Sequence, residues 1–248
     1  MPFAWPIERV QTDTVWEGEF HVQRRMFTAA GVSLTIKPGS VIRFARNTFI
    51  WARGPIEAVG GVDNPITFTS IEKTTEQEYW NTVMTDLSEA LFVHCRFENA
   101  SMAIHSHFSK VTVDHCFFRN NESGFRFRSG PVEIKNSVFK DNFFGIVAYL
   151  VKAKVTGNLF TKNQVGILVR EERNKGTAIH LNNFVDNLRY NLRVGDFNRG
   201  SDVDALENWW GGADPLLTIF DQRTEPDIGF VLYEPFATEP YKLQVPSW

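Results

Sequence analysis

Residues 113–127 (VDHCFFRNNESGFRF), 134–148 (IKNSVFKDNFFGIVA) and 155–169 (VTGNLFTKNQVGILV) are three copies of one unit, each starting 21 residues after the last. The unit reads V-x-x-[C/S/N]-x-F-x-x-N-x-x-G-I-x-V. Working outward, Phe97, Phe118, Phe139 and Phe160 fall at intervals of 21, and Phe184 follows after 24. Asn121, Asn142, Asn163 and Asn187 stand three places after the last four of these. Gly124, Gly145 and Gly166 recur before an apolar residue, and Val113, Ile134, Val155 and Ile179 recur before the Phe. A fixed period with the same residue types in the same places is the signature of stacked repeats.

The apolar residues within each unit are two apart (Phe125 and Phe127, Ile167 and Val169), which is strand periodicity. Segments this short cannot bury an apolar side alone and must stack on copies above and below. Parallel, in-register stacking sets equivalent residues about 4.8 Å apart. The Phe column then becomes an interior aromatic stack, and the Asn column becomes a ladder of amides that satisfies backbone at a bend. The recurring Gly is expected to supply a left-handed or strained bend. These features specify an all-β chain: one right-handed parallel β-helix, a solenoid of about nine coils. An antiparallel sandwich would require neither a constant period nor matching columns.

The flanks fit that architecture. Val32, Leu34 and Ile36 alternate before a Lys37-Pro38-Gly39 turn, and further alternation runs to Phe68 between Gly and Pro punctuation. Residues 15–31 are expected to cap the first open strand edge, 32–212 to form the coils, and 213–248 to form an irregular C-terminal cap. No segment reads as an interdomain linker, so a single domain is expected over 1–248. The chain is rich in Phe (22 residues) and poor in Met (4), which suits stacked pleated surfaces. Its net charge of −3 gives no overall field for nucleic acid, which is not expected as a partner. No apolar run reaches the roughly 20 residues of a membrane-spanning helix. Met1 to Val10 lacks the apolar run of a secretory signal, leaving a cytoplasmic chain or one whose leader has been removed.

Leu34 to Phe44 (LTIKPGSVIRF), Ile56 to Gly60 (IEAVG), Asp63 to Ser70 (DNPITFTS) and Glu207 to Gly211 (ENWWG) complete the pattern. With the repeats, the chain resembles bacterial parallel β-helix repeat proteins of pectate-lyase-like and NosD-like architecture. The resemblance covers nearly the whole chain. It implies an exported protein in the periplasm, on the outer surface or secreted, and so favours a removed leader. It implies no particular activity, because fold does not specify function. The Ca²⁺-binding acidic cluster and sugar-facing basic residue of the lyases are not recognisable here.

Function is therefore sought on outward columns. If Ile146, Ala148, Ile167 and Val169 face inward, then His105, Arg126, Val147 and Leu168 face out, beside His107, Arg128, Tyr149 and Arg170. Guanidinium forks suit carboxylates and an aromatic ring suits a sugar face, so His105, His107, Arg126, Arg128, Tyr149 and Arg170 form the candidate ligand-binding stripe. The competing reading is a solvated face compensated by acids such as Glu171 and Glu172. Asp141 and Asp186 share a column two coils apart, roughly 10 Å, just beyond the spacing of an inverting glycosidase pair. Asp202 and Asp204 alternate on a final strand expected near Asp186. These four carboxylates are weak catalytic candidates, and solvation is the favoured account of them. His94 and His115, with Cys95 and Cys116, occupy matching places on adjacent coils. The Cys column continues as Ser137, Asn158 and Asn182, which favours small inward residues over a metal site, so neither metal nor cofactor is expected. Stacked Cα atoms about 5 Å apart also leave a Cys95–Cys116 disulfide open, decided by orientation and compartment. Trp209 and Trp210 read as packing or as a sugar platform.

Three functions remain. A non-catalytic extracytoplasmic scaffold would bind polysaccharide or another cell-surface component along one face. A polysaccharide lyase or glycoside hydrolase would need a groove with convergent carboxylates. A structural subunit would self-associate through its faces or ends.

Overall fold

The computed structural model describes residues 7–149, 152–170, 176–195 and 197–247. Among these the chain is built from short parallel strands and a single 3₁₀ turn, Pro215–Leu217. Successive strands belong to three different sheets, so each strand pairs with the one a full coil later. The registers are those of the repeat: Phe118 opposes Phe139 and Phe139 opposes Phe160, while Ile134 opposes Val155. The first sheet has ten strands from Ile7–Val10 to Ile219–Phe220, and the second has ten from Thr14–Trp16 to Val231–Leu232. The third has eight, from Glu19–Val22 to Asn183–Val185, extended by single bridges from Asn183 to Trp209 and on to Ala237. These counts agree with about nine coils.

Both expected boundaries move outward. Within the expected cap 15–31, Glu19–Val22 and Arg25–Thr28 already pair in parallel with later strands, and Ile7–Val10 pairs with Arg25–Thr28. Beyond residue 212, two further strands continue the first and second sheets. The early coils lack the Phe and Asn signature and fill their interior with Trp16, Val22 and Met26 instead. At that end Trp16 stacks on Phe20 with ring centroids 3.9 Å apart.

The expected aromatic column is longer than the repeat alone suggests. Phe68, Phe97, Phe118, Phe139, Phe160, Phe184 and Trp210 stack in series at 4.5–5.0 Å, with ring planes within 16° of parallel. Trp210 is thus the last ring of the stack, buried against Phe184 and unavailable as a sugar platform.

Two amide ladders hold the corners. At the corner between third and first sheets, Asn142 Oδ1 accepts from both the backbone N–H and the Nδ2 of Asn121, and Asn142 Nδ2 donates to Phe118 O. Asn163 repeats this arrangement toward Asn142, and Asn187 toward Asn163. The second ladder stands between second and third sheets, in the column read above as small filler. Cys116 N–H donates to Ser137 Oγ, Ser137 N–H to Asn158 Oδ1, Asn158 N–H to Asn182 Oδ1 and Asn182 N–H to Asn208 Oδ1. Buried backbone N–H groups at a bend demand acceptors, and these side chains supply them.

The repeating glycines work differently from expectation. Left-handed φ values at the ladder corner belong instead to the residue before each ladder Asn: Asn120, Asp141, Lys162 and Asp186. Gly124, Gly145 and Gly166 are not left-handed; they are required by close approach. A Cβ on Gly145 would lie 2.4 Å from Gly166 O and 3.0 Å from Phe160 Cδ1. Gly145→Ala is therefore expected to destabilise by about 2 kcal/mol, the usual scale of overpacking. Urea unfolding of the variant checks it, and an unchanged midpoint would refute the close-approach account.

Candidate functional site

The outer face of the first sheet gathers the whole sequence-derived stripe. His105 opposes Arg126, and His107, Arg128, Tyr149 and Arg170 follow one another across four adjacent strands. Strand alternation sends Phe125 and Phe127 into the core and Arg126 and Arg128 outward. The Arg126 and Arg170 guanidiniums sit 5.0 and 5.5 Å from the centre of the Tyr149 ring, within cation–π range. Arg170 Nη1 also donates to Tyr149 Oη at 3.1 Å. Tyr149 is only 6% exposed, so its ring supports the arginines and offers no open sugar platform.

The histidines contribute donors and acceptors rather than charge. Their rings meet edge-on at 4.4 Å. Burial, aided by the charges of His107 and Arg126, pulls the His105 pKa down to about 3. Burial also lowers that of His107, with Asp86 opposing and Arg128 and Arg126 adding to the shift. Near neutral pH the stripe's positive charge is therefore carried by arginine. Val147 and Leu168 lie on the outside of the sheet yet are buried, forming with Tyr149 and Val165 a second apolar cluster against Phe144 and Tyr190. Glu171 and Glu172 lie outside the described residues.

The four carboxylate candidates do not converge. Asp141 and Asp186 occupy left-handed corner positions, a conformation that Asp tolerates better than most residues. Asp141 Oδ2 lies 3.5 Å from Arg119 Nε. Asp202 accepts the Phe230 backbone N–H, and Asp204 pairs with His180 Nε2 at 2.6 Å, both beside the second sheet. The expected proximity of Asp202 and Asp204 to Asp186 is thus not found, because Asp186 follows a strand of the third sheet. Asp141 and Asp186 are two coils apart, and Asp202 and Asp204 are engaged by the Phe230 N–H and by His180.

The model of the family described as "Right handed beta helix region" matches residues 26–184. The chain belongs to this family. No curated protein and no solved structure matches the chain. The right-handed β-helix assignment begins at the second coil and ends at Phe184, the last Phe of the stack before Trp210.

One departure from the β-helix period was legible only as a number: Phe68 and Phe97 are 29 residues apart where neighbours are 21 apart. The extra residues form a loop, 71–79, over a cavity of about 390 Å³ walled by Glu98, Asn99, Arg119, Asn120 and Asp141. Glu98 was not singled out by the repeat. At another corner the His94 and His115 rings lie 5.0 Å apart, tilted by 36°, His115 Nδ1 lies 2.7 Å from Asp114 Oδ1, and the tail residues Gln244 to Ser247 run beside them. Among the described residues no three His, Cys, Asp or Glu side chains are grouped to hold a metal ion. Cys95 and Cys116 are buried free thiols bonded to the Ala58 and Phe92 carbonyls, and burial pushes the Cys95 pKa up. Among the described residues no helix is long and apolar enough to cross a membrane.

Proposed function

We propose that this β-helix is a non-catalytic binding module for an acidic polysaccharide, acting outside the cytoplasm and using the outer face of the first sheet. The observation that carries the reading is the Arg126–Tyr149–Arg170 cluster. Two guanidiniums are held against one buried ring from the strands on either side of it, with His107 and Arg128 preceding Tyr149 and Arg170 in the same column. Holding arginines in advance reduces the side-chain entropy lost on binding. A guanidinium fork matches a carboxylate in two parallel hydrogen bonds, and strands about 4.8 Å apart repeat that recognition along a polymer. Neutral His105 and His107 add hydrogen-bonding groups for hydroxyls without adding charge.

The test is titration with polygalacturonate, with dextran as the uncharged comparison. Binding is expected for polygalacturonate alone and is expected to weaken as salt rises, since exposed charges are screened. An Arg126→Ala/Arg170→Ala variant is expected to bind at least about tenfold more weakly, the loss of one or two charge-assisted hydrogen bonds. Equal affinity of the variant would reject this face. Equal binding of dextran would reject an acidic ligand.

A further inference from the structure

Loop 71–79 is an insertion at one corner. In the other described connections from third-sheet to first-sheet strands before the closing Trp209 bridge, one to four residues intervene; between Ser70 and Trp80 there are nine. Ordering such a loop costs conformational entropy, so what holds it matters. Its root is tied by Ser70 Oγ, which donates to Glu72 O, and by Arg46, which pairs with Glu76 and lies 4.6 Å from the Tyr79 ring centre. Its middle leans along the solenoid onto later coils. Asn120 Nδ2 donates to Thr75 O at 2.8 Å, and Gln77 Nε2 donates to Asp141 O at 3.3 Å. Those contacts roof the cavity of about 390 Å³ and place Thr74 and Thr75 opposite Glu98, Arg119 and Asp141.

We infer that this cavity binds an uncharged polyhydroxylated ligand, a neutral sugar residue or polyol, through neighbouring hydroxyl groups. Its size lies at the small end of the about 300–1,000 Å³ usual for ligand sites, which fits a compact ligand. Its wall is polar, unlike the mostly apolar lining of sites for hydrophobic ligands. The charges on that wall are already matched: Asp141 faces Arg119, and Glu98 Oε1 lies 3.8 Å from Arg96. An anion would meet the Glu98 and Asp141 carboxylates and a cation the Arg119 guanidinium, whereas a hydroxyl both donates and accepts. Neighbouring hydroxyls can donate to the Glu98 and Asp141 carboxylates and accept from Arg119 and the threonine hydroxyls. Asn99 and Asn120 are held by a mutual bond of 2.8 Å, which fixes the floor before a ligand arrives.

The experiment uses the full chain and follows the backbone amides of Thr74, Thr75, Asn99 and Asn120 by NMR. The probes are the methyl glycosides of glucose, galactose and mannose, with myo-inositol as the polyol arm and galacturonate as the charged arm. At least one uncharged probe is expected to give saturable shifts at these amides. Glu98→Gln and Asp141→Asn keep shape and left-handed tolerance, and each is expected to weaken that probe about tenfold, as for loss of a hydrogen bond to a charged group. A variant whose loop is shortened to the length of 120–122 is expected to lose the response. Were that variant unfolded, the two isosteric variants still decide. Absence of saturable shifts with every uncharged probe overturns the inference, as do unchanged affinities in both isosteric variants or tighter binding of galacturonate. This site is separate from the Arg126 face, so failure of polygalacturonate binding there leaves this result standing.

Discussion

Replacing Asn142 by leucine is expected to cost about 4 kcal/mol of folding stability, more than the removal of any exposed side chain on the molecule. Asn142 is 2% exposed, and its side chain closes four bonds at once. Its Oδ1 takes the N–H and Nδ2 of Asn121, and its Nδ2 serves Phe118 O and Asn163 Oδ1. Leucine has nearly the same size but leaves those two donors and the Phe118 carbonyl buried without their partner, and takes one donor from Asn163. Each stranded buried group costs roughly 1–3 kcal/mol, offset in part by the gain in apolar burial. The same change at Asn187, which is half-buried and ends the ladder, is expected to cost about half as much, because water can reach the freed groups. Urea unfolding of both variants gives the comparison. Equal losses at the two sites would mean that the ladder contributes through shape alone.

The second large effect is on acid stability, and it turns on His105. Its pKa in the folded chain is about 3, against 6.5 for a free imidazole. Between those values the unfolded chain binds a proton that the folded chain refuses, so stability falls as pH drops from about 6.5 to about 3. Each pH unit across that window is worth about 1.4 kcal/mol, for a total on the order of 5 kcal/mol. His105→Gln removes the proton site and keeps a hydrogen-bonding side chain. The variant is expected to lose much of the slope of stability against pH over this window and to unfold at lower pH, with little change above pH 7. Identical slopes in the two proteins would show that His105 is protonated in the folded state. Carboxylate titration contributes to both proteins alike and cancels in the comparison.

The sequence made the solenoid legible where register forces identical residues into one column. Phe97 to Phe184 had to recur because each ring rests on the next. The first coils were hidden for the converse reason: Trp16, Val22 and Met26 fill the same interior with no shared side chain to betray a period. The second ladder was visible as a column but not as a ladder, since Cys116, Ser137 and Asn158 differ in type while serving one purpose. On the outer face, alternation placed all six stripe residues correctly on one side of one sheet. It could not show that Tyr149 would be buried beneath two arginines, because that depends on neighbours in adjacent coils. The cavity was hidden further still. Its roof is an insertion whose path is set by Asn120 and by the Asp141 carbonyl, partners 45 and 64 residues away.

The direction of the ladder bonds has a consequence for how such a chain can change length. Every backbone link points the same way, from one Asn to the Asn of the following coil, and the ladder turns back into its own coil at its last member, where Asn187 Nδ2 donates to Asn191 Oδ1. A whole coil can therefore be removed or duplicated with donors still meeting acceptors, while a fraction of a coil strands both. Growth comes in quanta of one ring. Smaller changes must be absorbed at the corners as loops, and the insertion at 71–79 is one of these: the period stretches there and resumes at Phe97 with the stack unbroken. New surface can thus be tried at a corner without renegotiating the interior.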